Sequence, residues 1–120
     1  MAETAQSIID DALLELTVLE SESVTDSFDM QRGIRTLNRM LNEWYAQGVN
    51  LGFTELTNPS NLVTVPPGAV SGIVYNLAIR LASGFQIAPP VTLVKSANDG
   101  YKAILDIGFE VGKACFPNNL

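Results

Sequence analysis

The chain has 120 residues, of which 47% are hydrophobic and 17% charged, and its net charge is −6 at pH 7. That length fits one domain (residues 1–120) with a real core and little surplus stability, and the low charge density suggests a surface partly covered by a partner. With no histidine, the commonest general base and metal ligand is missing; with Cys115 the only cysteine, there is no intrachain disulfide and no CxxC zinc site.

The first predicted helix runs from about residue 4 to 16. Ile8, Ile9, Ala12, Leu13 and Leu16 share one side of a 3.6-residue wheel, and Asp10, Asp11 and Glu15 share the other. Residues 1–29 hold eight acids and no Lys or Arg, which argues against wrapping nucleic acid, because phosphate binding needs a basic patch. The N-terminal residues lack the basic and apolar regions of a signal peptide, and no apolar run reaches the roughly 20 residues of a membrane span. A soluble product made in the cytoplasm, with no membrane partner, is expected.

"TVLESESVTDS" then breaks the pattern, and Thr25, Asp26 or Ser27 can cap a second helix over about 27–47. Its inward stripe is Met30, Ile34, Leu37, Leu41 and Trp44. Arg32, Arg35 and Arg39 lie opposite, and Gly48 is placed to close the helix in a left-handed conformation. Residues 49–68 are the least helical part. "FTEL" and "LVTV" flank the turn residues "TNPSN", so a β-hairpin or an extended arm is expected, ordered mainly by partners.

"PPG" at 66–68 starts a third helix over about 69–85. Val70, Ile73, Val74, Leu77, Leu81 and Phe85 form one stripe; Tyr75, Ile79 and Ala82 lie on another side. A helix apolar on two sides is buried on two sides or meets a second subunit. Asn76 and Arg80 stand one turn apart within it, where their side chains can meet, and a partly buried guanidinium needs an acceptor. A fourth helix covers about 90–114, with Val94, Ala97, Tyr101, Ile104, Leu105 and Gly108 inward and a break possible at Asp99-Gly100. Lys95-Asp99 and Lys102-Asp106 are spaced for ion pairs on its outer face. Residues 115–120, "CFPNNL", form a short tail.

The fold class is therefore all-α: a four-helix, bundle-like domain with a short extended arm or β-hairpin between the second and third helices. Catalytic candidates are weak. Glu43 with Asp29 or Glu55 could serve a glycosidase only if the carboxylates converge on one substrate, and solvated acids are the plainer reading. Ser71 and Ser83 have no histidine to activate them. The Arg32/Arg35/Arg39 face suits a small DNA-packaging protein, but three arginines on a helix flanked by acids are more often a solvated or ion-pairing face. Of Trp44 and Tyr45, a possible binding anchor, Trp44 continues the inward stripe. No cofactor or metal site is expected.

The segments "IIDDALLEL", "GIRTLNRMLNEWYAQGVNLGF", "VPPGAVSGIVYNLAIRLASGF" and "SANDGYKAIL", in this order, resemble the head-to-tail connector adaptors of tailed bacteriophages. Within them the chain is most similar to the tail accessory factors, or packaged-DNA stabilisation proteins, of short-tailed phages. The likeness spans about residues 8–105 and is most specific in "LNEWYAQG" and "YNLAIRLA". It implies a mostly helical, non-enzymatic subunit of a twelve-membered ring at the virion's head-tail junction, below the portal protein. Such a ring extends the DNA channel and holds a tail or nozzle protein, and DNA passes through it without specific binding. In a ring subunit, Tyr75, Asn76, Ile79 and Arg80 of the third helix, Phe53, Leu56 and Leu62 of the arm, and Phe116 of the tail are the expected interface. Asp10, Asp11 and Glu15 are the expected face toward the DNA channel, where like charge lets a polyanion slide.

Overall fold

A computed structural model of the chain describes residues 3–16 and 25–114. Strand β1 (Glu3–Thr4) leads into helix α1 (Ala5–Glu15); helix α2 (Ser27–Ala46), strand β2 (Leu62–Val63), helix α3 (Val70–Ala82) and helix α4 (Val91–Ala114) follow. The fold is mostly helical, as expected, with one two-stranded antiparallel sheet.

The first two helices begin where local chemistry satisfies their free amides. Thr4 and Ser7 cap α1 reciprocally: the Ser7 amide donates to Thr4 Oγ1 at 3.1 Å, and the Thr4 amide to Ser7 Oγ at 3.1 Å. Asp26 caps α2 by accepting from the Asp29 amide at 2.9 Å. Gly48, at φ +97°, closes α2 in the left-handed region that glycine adopts without steric cost.

Helix α3 is the central element. Its α-helical part is shorter than expected, with 3-10 turns at Pro67–Ala69 and Ser83–Phe85 on either side. Helix α4 lies along one side of it and α1 along another, and α2 touches both α1 and α3. Its two apolar sides are thus covered by its own chain. Gly72, Ile73, Val74, Leu77, Ala78, Leu81 and Ala82 are buried, and Tyr75 and Ile79 are half-buried against the core.

Two glycines fix how α4 sits. A Cβ placed on Gly100 would come within 2.6 Å of the Gly72 Cα, and one on Gly72 within 2.7 Å of the Gly100 carbonyl oxygen. The helices cross with backbones in contact there. Asn76 reinforces the crossing, its amide nitrogen donating to Gly72 O at 2.8 Å and across to Ala97 O at 3.0 Å. Gly100 therefore does not interrupt α4, which is continuous through it. The crossing also sets α4's rotation. Leu93, Ala97 and Ile104 are buried beside Gly100, whereas Val94 and Leu105, expected inward, are about 40% exposed. The surroundings of Gly108 lie outside the described residues. A similar notch joins α1 to α2, where a Cβ on Gly33 would meet Ile9 Cγ2 at 2.7 Å.

The arm is not a hairpin. Its strand β2 pairs with β1, Glu3 opposite Val63 and Thr4 opposite Leu62. Its turn then feeds the start of α1: the Ala5 amide donates to Asn61 O and the Gln6 amide to Pro59 O, both at 2.9 Å. The arm's carbonyls are thus spent on the orphan amides of a helix far away in sequence. Its two limbs are linked by one side chain, Thr64, whose hydroxyl accepts from the Thr54 amide and donates to Gly52 O, each at 3.0 Å. Val49, Leu51, Leu56 and Val63 are buried. Asn38, buried in α2, holds Leu56 from both directions, Nδ2 donating to Leu56 O at 2.8 Å and Oδ1 accepting from Leu56 N at 3.0 Å. The expectation that partners order the arm is replaced by an arm built into the core.

Two stability measurements follow from these contacts. Gly72→Ala and Gly100→Ala should each destabilise the fold by about 1–3 kcal/mol in urea melts, despite alanine's better helix propensity, because backbone rather than a movable side chain blocks the new methyl. Gly84→Ala meets only the flexible end of Arg32 and should cost much less. Asn38→Ala should cost roughly 2–4 kcal/mol, since it leaves the buried Leu56 amide and carbonyl without partners.

Candidate functional site

Asn76 and Arg80, adjacent on the α3 wheel, do not meet. Asn76 turns to α4, as above. Arg80 is exposed and turns to α2, where its Nη2 lies 2.9 Å from Glu43 Oε1. The Arg80 hydrogen bond, and then its charge, hold the Glu43 carboxyl below its ordinary pKa. Arg80 thus finds the acceptor expected of it in a carboxylate of its own chain; its side chain is 34% exposed and that of Glu43 56%, and a pair this open to solvent contributes little to stability. Glu43 turns toward α3, whereas Glu55 lines a cleft on the arm side that Glu43 does not enter.

The arginine stripe divides. Arg35 and Arg39 are exposed. Arg32 lies over the rings of Phe28 and Phe85, 5.5 and 5.9 Å from their centroids, and donates to Gly84 O at 3.3 Å. It fastens the turn after α3 to the start of α2 instead of facing solvent as one of three.

The acids of α1 also differ from one another. Asp10 is half-buried and accepts a short hydrogen bond from the Thr25 hydroxyl, tying α1 to the approach of α2. Asp11 and Glu15 are exposed at the mouth of a cleft of about 200 Å³ between α1 and α3, which Tyr75 and Ser71 also line. Partial burial, then the nearby charges of Glu3 and Asp10, raise the Asp11 pKa.

Among the arm residues, Leu62 is 54% exposed, whereas Leu56 is only 3% exposed and gives a partner no surface. Phe116 lies outside the described residues. Phe53 is half-buried in a cleft of about 360 Å³ that it shares with Asn42, Tyr45, Asn50 and Glu55. Tyr45 is exposed there, one residue from the buried Trp44, whose ring packs 5.1 Å from that of Tyr101.

The sequence reading missed this cleft and the apolar residues on the outer face of α4. Val91 is 84% exposed, and Val94, Asn98, Lys102 and Leu105 follow it at helical spacings of three and four, all exposed. The stripe is apolar at its two ends and polar in the middle. The spacing was visible in the sequence. The rotation that turns it outward depends on the glycine crossing.

No group of three or more His, Cys, Asp or Glu side chains among the described residues is placed to hold a metal ion, and none of the helices described there is long and apolar enough to cross a membrane. The family model of the P22 tail accessory factor matches residues 1–112. No curated protein matches the chain.

The two shifted carboxyls have opposite effects on stability. Glu43, with a lowered pKa, contributes stability above the ordinary carboxylate range that is lost as pH falls through the lowered value. Asp11, with a raised pKa, is favoured in its neutral form, so its contribution is lost as pH rises through the raised value. Asp11→Asn should therefore melt progressively higher than the unaltered chain as pH is raised from about 3.9 toward neutrality. Parallel melts across that range measure the divergence; a constant offset would contradict the assignment.

Proposed function

This chain belongs to the P22 tail accessory factor family, and on that footing we propose that it is a structural subunit of the junction between phage head and tail. Copies form a ring below the portal protein, twelve by the resemblance. The ring extends the DNA channel, retains packaged DNA and attaches a tail or nozzle protein. Its action is closed-ring assembly through heterologous contacts, with no catalytic cycle.

The observation that carries this reading is the span of the family match, which takes in β1 to α3 and nearly all of α4. The exposed acids Asp11 and Glu15 support it, since a like-charged wall lets DNA slide without sticking. Glu43, paired with Arg80, and Glu55, in the arm cleft, do not line one cleft together, which favours the structural reading over a peptidoglycan hydrolase. The chain's acidity, and an arginine stripe whose first member is occupied within the fold, disfavour a DNA-packaging protein held by phosphate contacts.

Sedimentation of the isolated protein, and of the protein mixed with its portal, tests the proposal. A monomer or small oligomer is expected alone and a ring in the mixture. Failure to associate with the portal would contradict the adaptor role, and a stable ring formed without portal would contradict templated assembly.

A further inference from the structure

A ring built by heterologous contacts needs two different patches on each subunit, one on either flank. The structure carries two surfaces that its own chain leaves uncovered. The first is a ridge on α4, with Val91 and Val94 at one end, Leu105 at the other, and the exposed Asn98 and Lys102 between them. The second is the cleft between the end of α2 and the arm, with Tyr45 and Phe53 as apolar walls and Asn42, Asn50 and the exposed Glu55 as polar ones.

The cleft lies on the arm side of α2, whereas α3 and α4 meet the other side of that helix. Glu43 faces α3 through Arg80, and Gln47 lies 3.5 Å from the Tyr101 hydroxyl of α4. Asn38 faces the arm through Leu56, and Asn42 and Tyr45 line the cleft on that side. One patch is a convex ridge with apolar ends and a polar centre. The other is a concave cleft that also mixes apolar and polar walls.

One residue on each surface carries a charge opposite to the other. Lys102 on the ridge and Glu55 in the cleft each lack an ion pair among the described residues, although Asp106 stands four residues after Lys102. Lys95, by contrast, already pairs with Asp99 at 3.2 Å. An unpaired cation on the ridge and an unpaired anion in the cleft suit a second copy of the same chain.

We propose that the α4 ridge of one copy packs into the α2-arm cleft of the next, with Lys102 facing Glu55 across the contact. This deepens the ring reading above and rests on it. The packing brings Val91 and Val94 against Tyr45 and Phe53, so exposed apolar area is removed from water on both sides. The charge pair fixes the direction in which the ring is built.

Charge exchange between copies tests the contact. Lys102→Glu and Glu55→Lys, each alone, should raise the protein concentration for half-maximal ring formation on the portal by about tenfold or more, because like charges then face each other. Melting should be unchanged, both residues being exposed. The double variant should assemble normally. An equal mixture of the two single variants should also recover assembly, since alternating copies restore opposite charges at every contact. Val94→Asp should weaken assembly without rescue by either charge variant. If the unaltered chain forms no ring with the portal, the ring reading itself is overturned. If it does, and the single variants assemble as well as the unaltered chain, this contact is overturned while the ring stands. Loss in the single variants without recovery in the mixture also overturns it, and assigns the two patches to the portal or the tail protein.

Discussion

The contact of Gly72 with Gly100 is the constraint on which the arrangement depends. Two helices whose backbones touch have no freedom to rotate about their axes without creating a clash. Once Gly100 faces Gly72, the residues on its side of α4 must face α3, and Leu93, Ala97 and Ile104 complete that side. The amide of Asn76 adds a directional bond across the same crossing, which hydrophobic packing alone does not supply. Val91, Val94 and Leu105 are outward as a consequence, so the shape of the molecular surface is set by two residues with no side chains.

The arm has the same economy. A segment of this length between two helices suggests a docking element. Here its backbone instead completes the start of α1, through Pro59 and Asn61, and its strand pairs with β1. Asn38 seals the other limb at Leu56. Displacing the arm would expose the amides at the head of α1 and the buried carbonyl and amide of Leu56 together. The segment is coupled to the fold at both ends, and the cleft it forms with α2 is correspondingly a fixed feature.

Charge inside the chain is largely spent on joining helices. Arg80 binds Glu43 between α3 and α2, Arg32 is held by two aromatic rings and a carbonyl, and Asp10 binds Thr25. Charges without such a tie lie at the surface, among them Arg35 and Arg39 on α2, Asp11 and Glu15 on α1, Lys102 on α4 and Glu55 on the arm. The chemistry that looked functional in the sequence is thus mostly structural, and the chemistry that looked ordinary is free.

The sequence determined the number and approximate extent of the helices, the Gly48 stop, the core stripe of α2 and the burial of Trp44, because periodicity and capping act over one or two turns. The order of the motifs was enough to indicate the family. Tertiary structure alone decided which of two apolar sides of α3 met which helix, that Asn76 and Arg80 parted, that the arm paired with β1, and that α4 presented Val94 and Leu105 outward while burying Leu93. Each of these turns on a contact between residues distant in the chain. A wheel places side chains relative to their own helix axis; only the crossing at Gly72 and Gly100 sets that axis, and its rotation, against the rest of the molecule.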